Sequence, residues 1–177
     1  MDRGVLKVGV KNAVQGFSFQ DTLTGEYKGL EDSLAEMIAE YLGVDVEFTT
    51  VTAATRGELL DSGDIDAVLA TFTITEERKK SWDFSTPYRT DYVGLMVKKR
   101  SGFTSIEDLD GKVIGVSQGA TTQSLIEQMI KDNGFSCKPE FRAFSGYPII
   151  KSSLDAGNIR RLCHGPLHAG RLHERDR

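Results

Sequence analysis

Ile65-Asp66-Ala67-Val68-Leu69-Ala70 runs directly into Thr71-Phe72-Thr73-Ile74-Thr75-Glu76-Glu77-Arg78-Lys79-Lys80. The first six residues are a compact apolar run, the mark of a strand buried in a parallel sheet. Thr71–Ile74 predicts a loop and Thr75–Lys80 a helix. Thr73 and Glu76 stand three apart, as in a capping box. A strand, a loop and a helix in that order belong to an α/β unit.

The surroundings repeat the pattern. Upstream, Leu6-Lys7-Val8-Gly9-Val10 alternates as a strand, and Phe17-Ser18-Phe19 predicts a short one. Leu30, Leu34, Met37, Ile38, Tyr41 and Leu42 recur at helical spacing, and Gly43 closes that helix. Val44–Val51 alternates again, and Thr55–Leu60 predicts a short helix. Downstream, Tyr92–Val97 reads as a strand. Lys98-Lys99-Arg100-Ser101-Gly102 is a charged, Gly-containing link and the expected domain boundary. A short helix around Ile106–Leu109, a strand at Val113–Val116 and the loop Ser117-Gln118-Gly119-Ala120 follow. A helix over Thr122–Lys131 carries Leu125, Ile126, Met129 and Ile130 on one expected face. Lys138–Phe144 predicts a strand and Tyr147–Leu154 a helix, with Pro148 in its first turn. The fold class is α/β with parallel pairing.

Composition narrows the function. The 177 residues carry 22 Lys+Arg and 26 Asp+Glu, a net charge of -4, which argues against a nucleic-acid partner. No apolar run reaches the ~18 residues of a membrane span, and no signal peptide precedes the first strand. GxxxxGK[ST], HExxH and a GxGxxG after the first strand are all missing. Residues 1–159 contain no histidine, which removes most acid–base enzyme constellations. Two strand–loop–helix junctions remain, at Thr71–Arg78 and Ser117–Thr122. A helix N-terminus offers N–H groups and partial positive charge to a carboxylate. Ligands of open α/β sheets bind beyond the carboxyl ends of the strands. Each junction reads alternatively as an ordinary helix cap. Together they imply a cleft for a small anion, with Arg78 as a bidentate grip.

Leu6–Lys11, Thr24-Gly25-Glu26-Tyr27-Lys28-Gly29-Leu30-Glu31, Val51–Arg56, Ala70–Lys80, Asp83-Phe84-Ser85-Thr86-Pro87-Tyr88 and Val113–Thr122 occur in an order that resembles one family. These are the polar-amino-acid solute-binding proteins of ABC importers, solute-binding family 3, nearest the glutamate/aspartate/glutamine branch. The resemblance covers about residues 5–159. It implies a periplasmic-binding-protein-like two-lobe (type II) fold truncated in the second lobe. Lobe 1 spans 1–97 and an incomplete lobe 2 spans 98–159. It further implies Arg78 on the ligand's α-carboxylate, with Thr73 and the Thr71 backbone assisting. Phe72 lines the cleft, and Gly119, Ala120, Thr121 and Thr122 contribute from lobe 2. Arg56 and Lys11 face the ligand's side chain, and Tyr147 reaches the cleft. Two cations favour glutamate or aspartate over glutamine. The implied partners are a small-molecule amino acid and a membrane permease, with no cofactor and no catalysis, at a periplasmic or membrane-anchored extracellular location. A dehydratase-like enzyme and a signalling sensor domain are the alternatives on this scaffold.

Residues 160–177 depart from that pattern. They hold all three histidines, five of eleven arginines and no lysine, for a charge of +3 against -7 in residues 1–159. The family continues with a strand and an aspartate that binds the ligand's α-amino group. Here Arg160-Arg161-Leu162-Cys163-His164-Gly165-Pro166 stands instead. A shifted reading frame is expected, because plausible codons read one nucleotide later spell a family-like segment. A metal site from Cys163, His164, His168 and His173 is the alternative, opposed by Gly165-Pro166 within any helix there. The expected consequences are loss of the last strands of lobe 2, weak or no ligand binding, and self-association through unpaired strand edges.

Overall fold

The computed structural model describes residues 3–159 and the backbone of 161–164. Contacts divide it into two compact units. The first holds residues 3–73, 118–120 and 145–148; the second holds 74–117, 121–144, 149–159 and 161–164. The chain thus changes unit after Thr73, upstream of the Lys98–Gly102 link expected from composition.

In the first unit, β1 (Val5–Val10) is followed by the short strands β2 (Ala13–Val14), β3 (Ser18–Gln20) and β4 (Tyr27–Lys28). Helix α1 (Leu30–Leu42), β5 (Asp45–Thr50), α2 (Arg56–Asp61) and β6 (Ala67–Leu69) complete it. β1 lies between β5 and β6, parallel to both; β2, β3 and β4 form a small antiparallel sheet. Leu6, Val8 and Val10, the alternating residues of β1, pack with Leu69, Ala35 and Ala39 in one core. As expected, Gly43 ends α1: at φ +67° its N–H donates to Glu40 O, and Val44 N–H donates to Ala39 O. This is a Schellman pattern, and a left-handed residue there favours glycine.

The face of α1 requires a correction. Leu34 packs against the core, but the other large apolar residues of the expected face are exposed: Met37 is 65% and Tyr41 90% exposed. The buried residues are Glu31, Asp32, Ala35 and Ala39. The alanines are small enough for close packing against the sheet. α3 is shifted likewise, with Leu125 and Met129 exposed while Thr122 and Ile126 are buried.

In the second unit, β7 (Gly94–Val97) and β8 (Val113–Ser117) precede α3 (Thr122–Asp132), β9 (Glu140–Phe144), α4 (Tyr147–Asp155, whose first two residues count with the first unit) and β10 (Arg161–His164). The sheet order is β7-β10-β8-β9, with β10 antiparallel to β7 and parallel to β8. Pairing in this sheet thus continues beyond Ile159, into the segment whose composition departs from the rest. Strand pairing uses backbone N–H and C=O groups, so a segment of unexpected side chains still fills the space between β7 and β8. Ile114, Val116, Leu109 and Ile126 form this unit's core.

Candidate functional site

The first junction is held by charge. β6 delivers Ala70 and then Thr71, whose φ of +49° is the one positive value among described non-glycine residues. A threonine in this left-handed region carries strain of order 1 kcal/mol or more and needs surroundings that hold it. Two buried side chains do so. Thr71 N–H donates to Glu31 Oε1 at 2.6 Å. Arg56 Nη1 donates to Ala70 O at 2.6 Å and to Thr71 O at 3.2 Å. The Arg56 guanidinium lies 4.0 Å from the centroid of the Phe72 ring, a cation–π distance. Glu31 is fully buried and Arg56 is 3% exposed.

Lys11, just after β1, joins this cluster and is itself buried. Its pKa is lowered to about 8, chiefly by burial and next by the neighbouring Arg56 charge, while Glu31 acts in the opposite sense. Glu31, Lys11 and Arg56 carry a formal sum of +1. Nearby, Ser18 Oγ lies within hydrogen-bond distance of both Lys11 O and Asp32 Oδ1. The hydroxyl has one proton to donate. Burial, together with the Glu36 charge, raises the Asp32 pKa, while its Ser18 hydrogen bond works against the rise.

The sequence-predicted residues fall into two sets. Lys11, Arg56, Thr71 and Phe72 come together in the first unit. Thr73 is exposed at that unit's edge, and Tyr147 opens α4 in the same unit, half-buried. Gly119 and Ala120 also belong to the first unit. Gly119 has φ +76°, and a Cβ there would stand 2.6 Å from Ala53 O. That position therefore demands glycine twice, for backbone conformation and for space.

Arg78, Thr121 and Thr122 lie in the second unit. The expected helix after Thr75 is only a 3₁₀ turn, Arg78–Lys80, and the capping box is not made. The Arg78 N–H instead donates to Thr75 Oγ1 at 3.2 Å. A three-residue turn lacks the aligned dipoles of a helix N-terminus, so any anion affinity at this loop rests on the guanidinium. Arg78 is half-buried, and desolvation lowers its pKa. At the second junction α3 does begin at Thr122, which is buried. The Thr121 side chain makes no cap bond; its carbonyl accepts from Leu125 N–H and Ser124 Oγ.

Sequence reasoning missed Glu31, Asp32 and Ser18. The acids stand in the first turn of α1, a common place for negative charge because it complements the helix dipole. The one available signal was Gly29-Leu30-Glu31 within the quoted family motif. Among the described residues no group of three His, Cys, Asp or Glu could hold a metal. The side chains of Cys163, His164, His168 and His173 lie outside the described residues.

A family model for bacterial extracellular solute-binding proteins, family 3, matches residues 6–159. The glutamine-binding protein GlnH of the Bacillus subtilis (strain 168) ABC transporter is 39% identical over 132 residues, covering 72% of this chain and 48% of its own. The L-cystine-binding protein TcyJ of Escherichia coli (strain K12) is 36% identical over 160 residues, covering 89% and 58%. The chain thus spans about half the length of these relatives. An ancestral arginine-binding protein bound to arginine superimposes with a TM-score of 0.81 at 36% identity, covering 92% of this chain and 70% of that one. The fold is accordingly the type II fold of periplasmic amino-acid-binding proteins, and these relatives are binding proteins rather than enzymes. The chain belongs to the bacterial extracellular solute-binding proteins, family 3.

Proposed function

We propose that this chain derives from an extracellular receptor that delivers a polar L-amino acid to the permease of an ABC importer, with an acidic side chain preferred. The observation that carries the preference is the buried Lys11 beside Arg56 and Glu31, a cluster of net positive formal charge. A buried charge needs a partner, and a ligand carboxylate supplies one, whereas the cation of an arginine ligand would be repelled. Glutamine, the ligand in the name of one relative, offers only a carbonyl dipole and ranks second. Arg78 takes the α-carboxylate, with Thr73, Thr121, Thr122 and the Gly119–Ala120 backbone as further polar contacts and Phe72 and Tyr147 as apolar lining. Amino-acid capture involves no bond making, and the residues proposed for this site need no catalytic histidine.

Residues 160–177 are proposed to be read in a shifted frame, which removes the family's α-amino partner and weakens binding. Sequencing the encoding DNA decides this; absence of a family-like reading one nucleotide later would count against it. β5 and β6 end the first sheet among the described residues, which supports self-association, tested by sedimentation at rising concentration. The ligand is tested by NMR titration of the chain with L-glutamate, L-aspartate, L-glutamine, L-arginine and L-cystine, a method that reads weak binding. The acids are expected to bind tightest and arginine weakest. Arginine or cystine binding best would overturn the preference.

A further inference from the structure

Glu31 and Arg56 grip one peptide from both sides, and this bears on how the receptor reads its ligand. Glu31 accepts the Thr71 N–H while Arg56 donates to the Ala70 and Thr71 carbonyls. Both side chains are buried, and both reach Thr71 from elements distant in sequence: α1 carries Glu31 and α2 begins with Arg56. The residue they hold has φ +49°, a conformation that threonine adopts only under constraint. The same guanidinium lies against the Phe72 ring. Charge-assisted hydrogen bonds are short and directional, so the pair fixes the peptide's orientation as well as its position.

We propose that Glu31 and Arg56 are positioning residues: they hold the Thr71 peptide left-handed and aim the Thr71–Phe72 backbone at the ligand without touching it. This assigns Glu31 a role that the sequence did not suggest. It moves Arg56 from a side-chain partner of the ligand to a support of the loop, leaving Lys11 as the cation that reads the side chain. The inference rests on the reading of the Thr71–Thr73 loop as ligand-facing. Lys11 stands beside the pair: the Glu31 carboxylate favours its ammonium, while burial and the Arg56 charge oppose it.

The test uses the full chain labelled with ¹⁵N, in wild-type form and as Glu31→Gln, Thr71→Gly and the double variant. The Thr71 amide proton, bonded to a carboxylate, is expected far downfield in the wild type and upfield in Glu31→Gln. Glu31→Gln is expected to weaken L-glutamate binding about ten-fold, the loss of one hydrogen bond to a charged group. Glycine takes the left-handed conformation unaided, so in the Thr71→Gly background the same Glu31→Gln change should weaken binding much less. A purely structural Glu31 would cost the same in both backgrounds. An unmoved Thr71 amide, an unchanged affinity or equal losses in the two backgrounds would each overturn the clamp. If Glu31→Gln fails to fold, Arg56→Lys takes its place, with the same ten-fold loss and the same rescue expected. A wild type that binds none of the five amino acids overturns the ligand reading instead; the amide shift, measured without ligand, still decides whether the clamp exists.

Discussion

The two strand–loop junctions look alike in sequence and are built by different means. After β6, the Thr71–Thr75 loop leads only into a 3₁₀ turn at Arg78–Lys80, and two buried ions hold its backbone. After β8, the Gln118–Ala120 loop leads into the eleven-residue helix α3, and glycine supplies the left-handed turn. A threonine at φ +49° and a glycine at φ +76° reach similar backbone geometry. The glycine needs no outside help, while the threonine is fixed by Glu31 and Arg56. A Thr-rich loop after an apolar strand therefore specifies a polar turn but not the device that makes it rigid.

Substitutions can separate the two devices. The largest effect is expected for Arg56→Ala, which leaves the Ala70 and Thr71 carbonyls without their buried, charged donor. Urea denaturation should show a loss of about 3 kcal/mol or more. A loss below about 1 kcal/mol would mean that the loop does not depend on its ions. At the other junction, Gly119→Ala places a Cβ against Ala53 O in a strained conformation; about 1–3 kcal/mol should be lost. An Ala variant as stable as the wild type would show that this loop is not pinned.

Lys11→Met probes the charge of the first junction with the opposite sign. The folded-state pKa of about 8 lies below the ordinary value of 10.5. Between these values the unfolded chain binds more protons, so wild-type stability rises with pH across that window. Below pH 8 the buried ammonium costs up to about 3 kcal/mol, and Lys11→Met should recover part of this at pH 7. The difference between variant and wild type should shrink towards pH 10.5; a pH-independent difference would remove burial as its cause. The smallest effect is expected for Glu76→Gln. Among the described residues Glu76 pairs only with Lys79, both exposed, so thermal unfolding should register less than about 0.5 kcal/mol. A working capping box would cost about 1 kcal/mol.

Much of the fold was legible because it is local. The alternation of Leu6, Val8 and Val10 gave β1, the Val113–Val116 run gave β8, and Gly43 marked the end of α1. The buried face of α1 was not legible, since hydrophobic periodicity selects Met37 and Tyr41 while close packing selects Ala35 and Ala39. Lys11, Arg56, Thr71 and Phe72 were drawn from the resemblance, and the structure brings them together. The clamp itself was hidden, because Glu31 and Thr71 are 40 residues apart and their hydrogen bond exists only in the folded chain. β10 was hidden for another reason: its place is set by the edges of β7 and β8 rather than by its own composition.

The reading of Lys11 as the ligand's side-chain partner can be tested by the ratio of L-glutamate to L-glutamine affinity as a function of pH. The two ligands share α-carboxylate and α-amino groups, so their ratio isolates the side chain. With Lys11 titrating near pH 8, the ratio should favour glutamate at pH 7 and fall through pH 8 towards parity by pH 10. A ratio that stays constant across this range would contradict the assignment of Lys11 to the ligand's side chain.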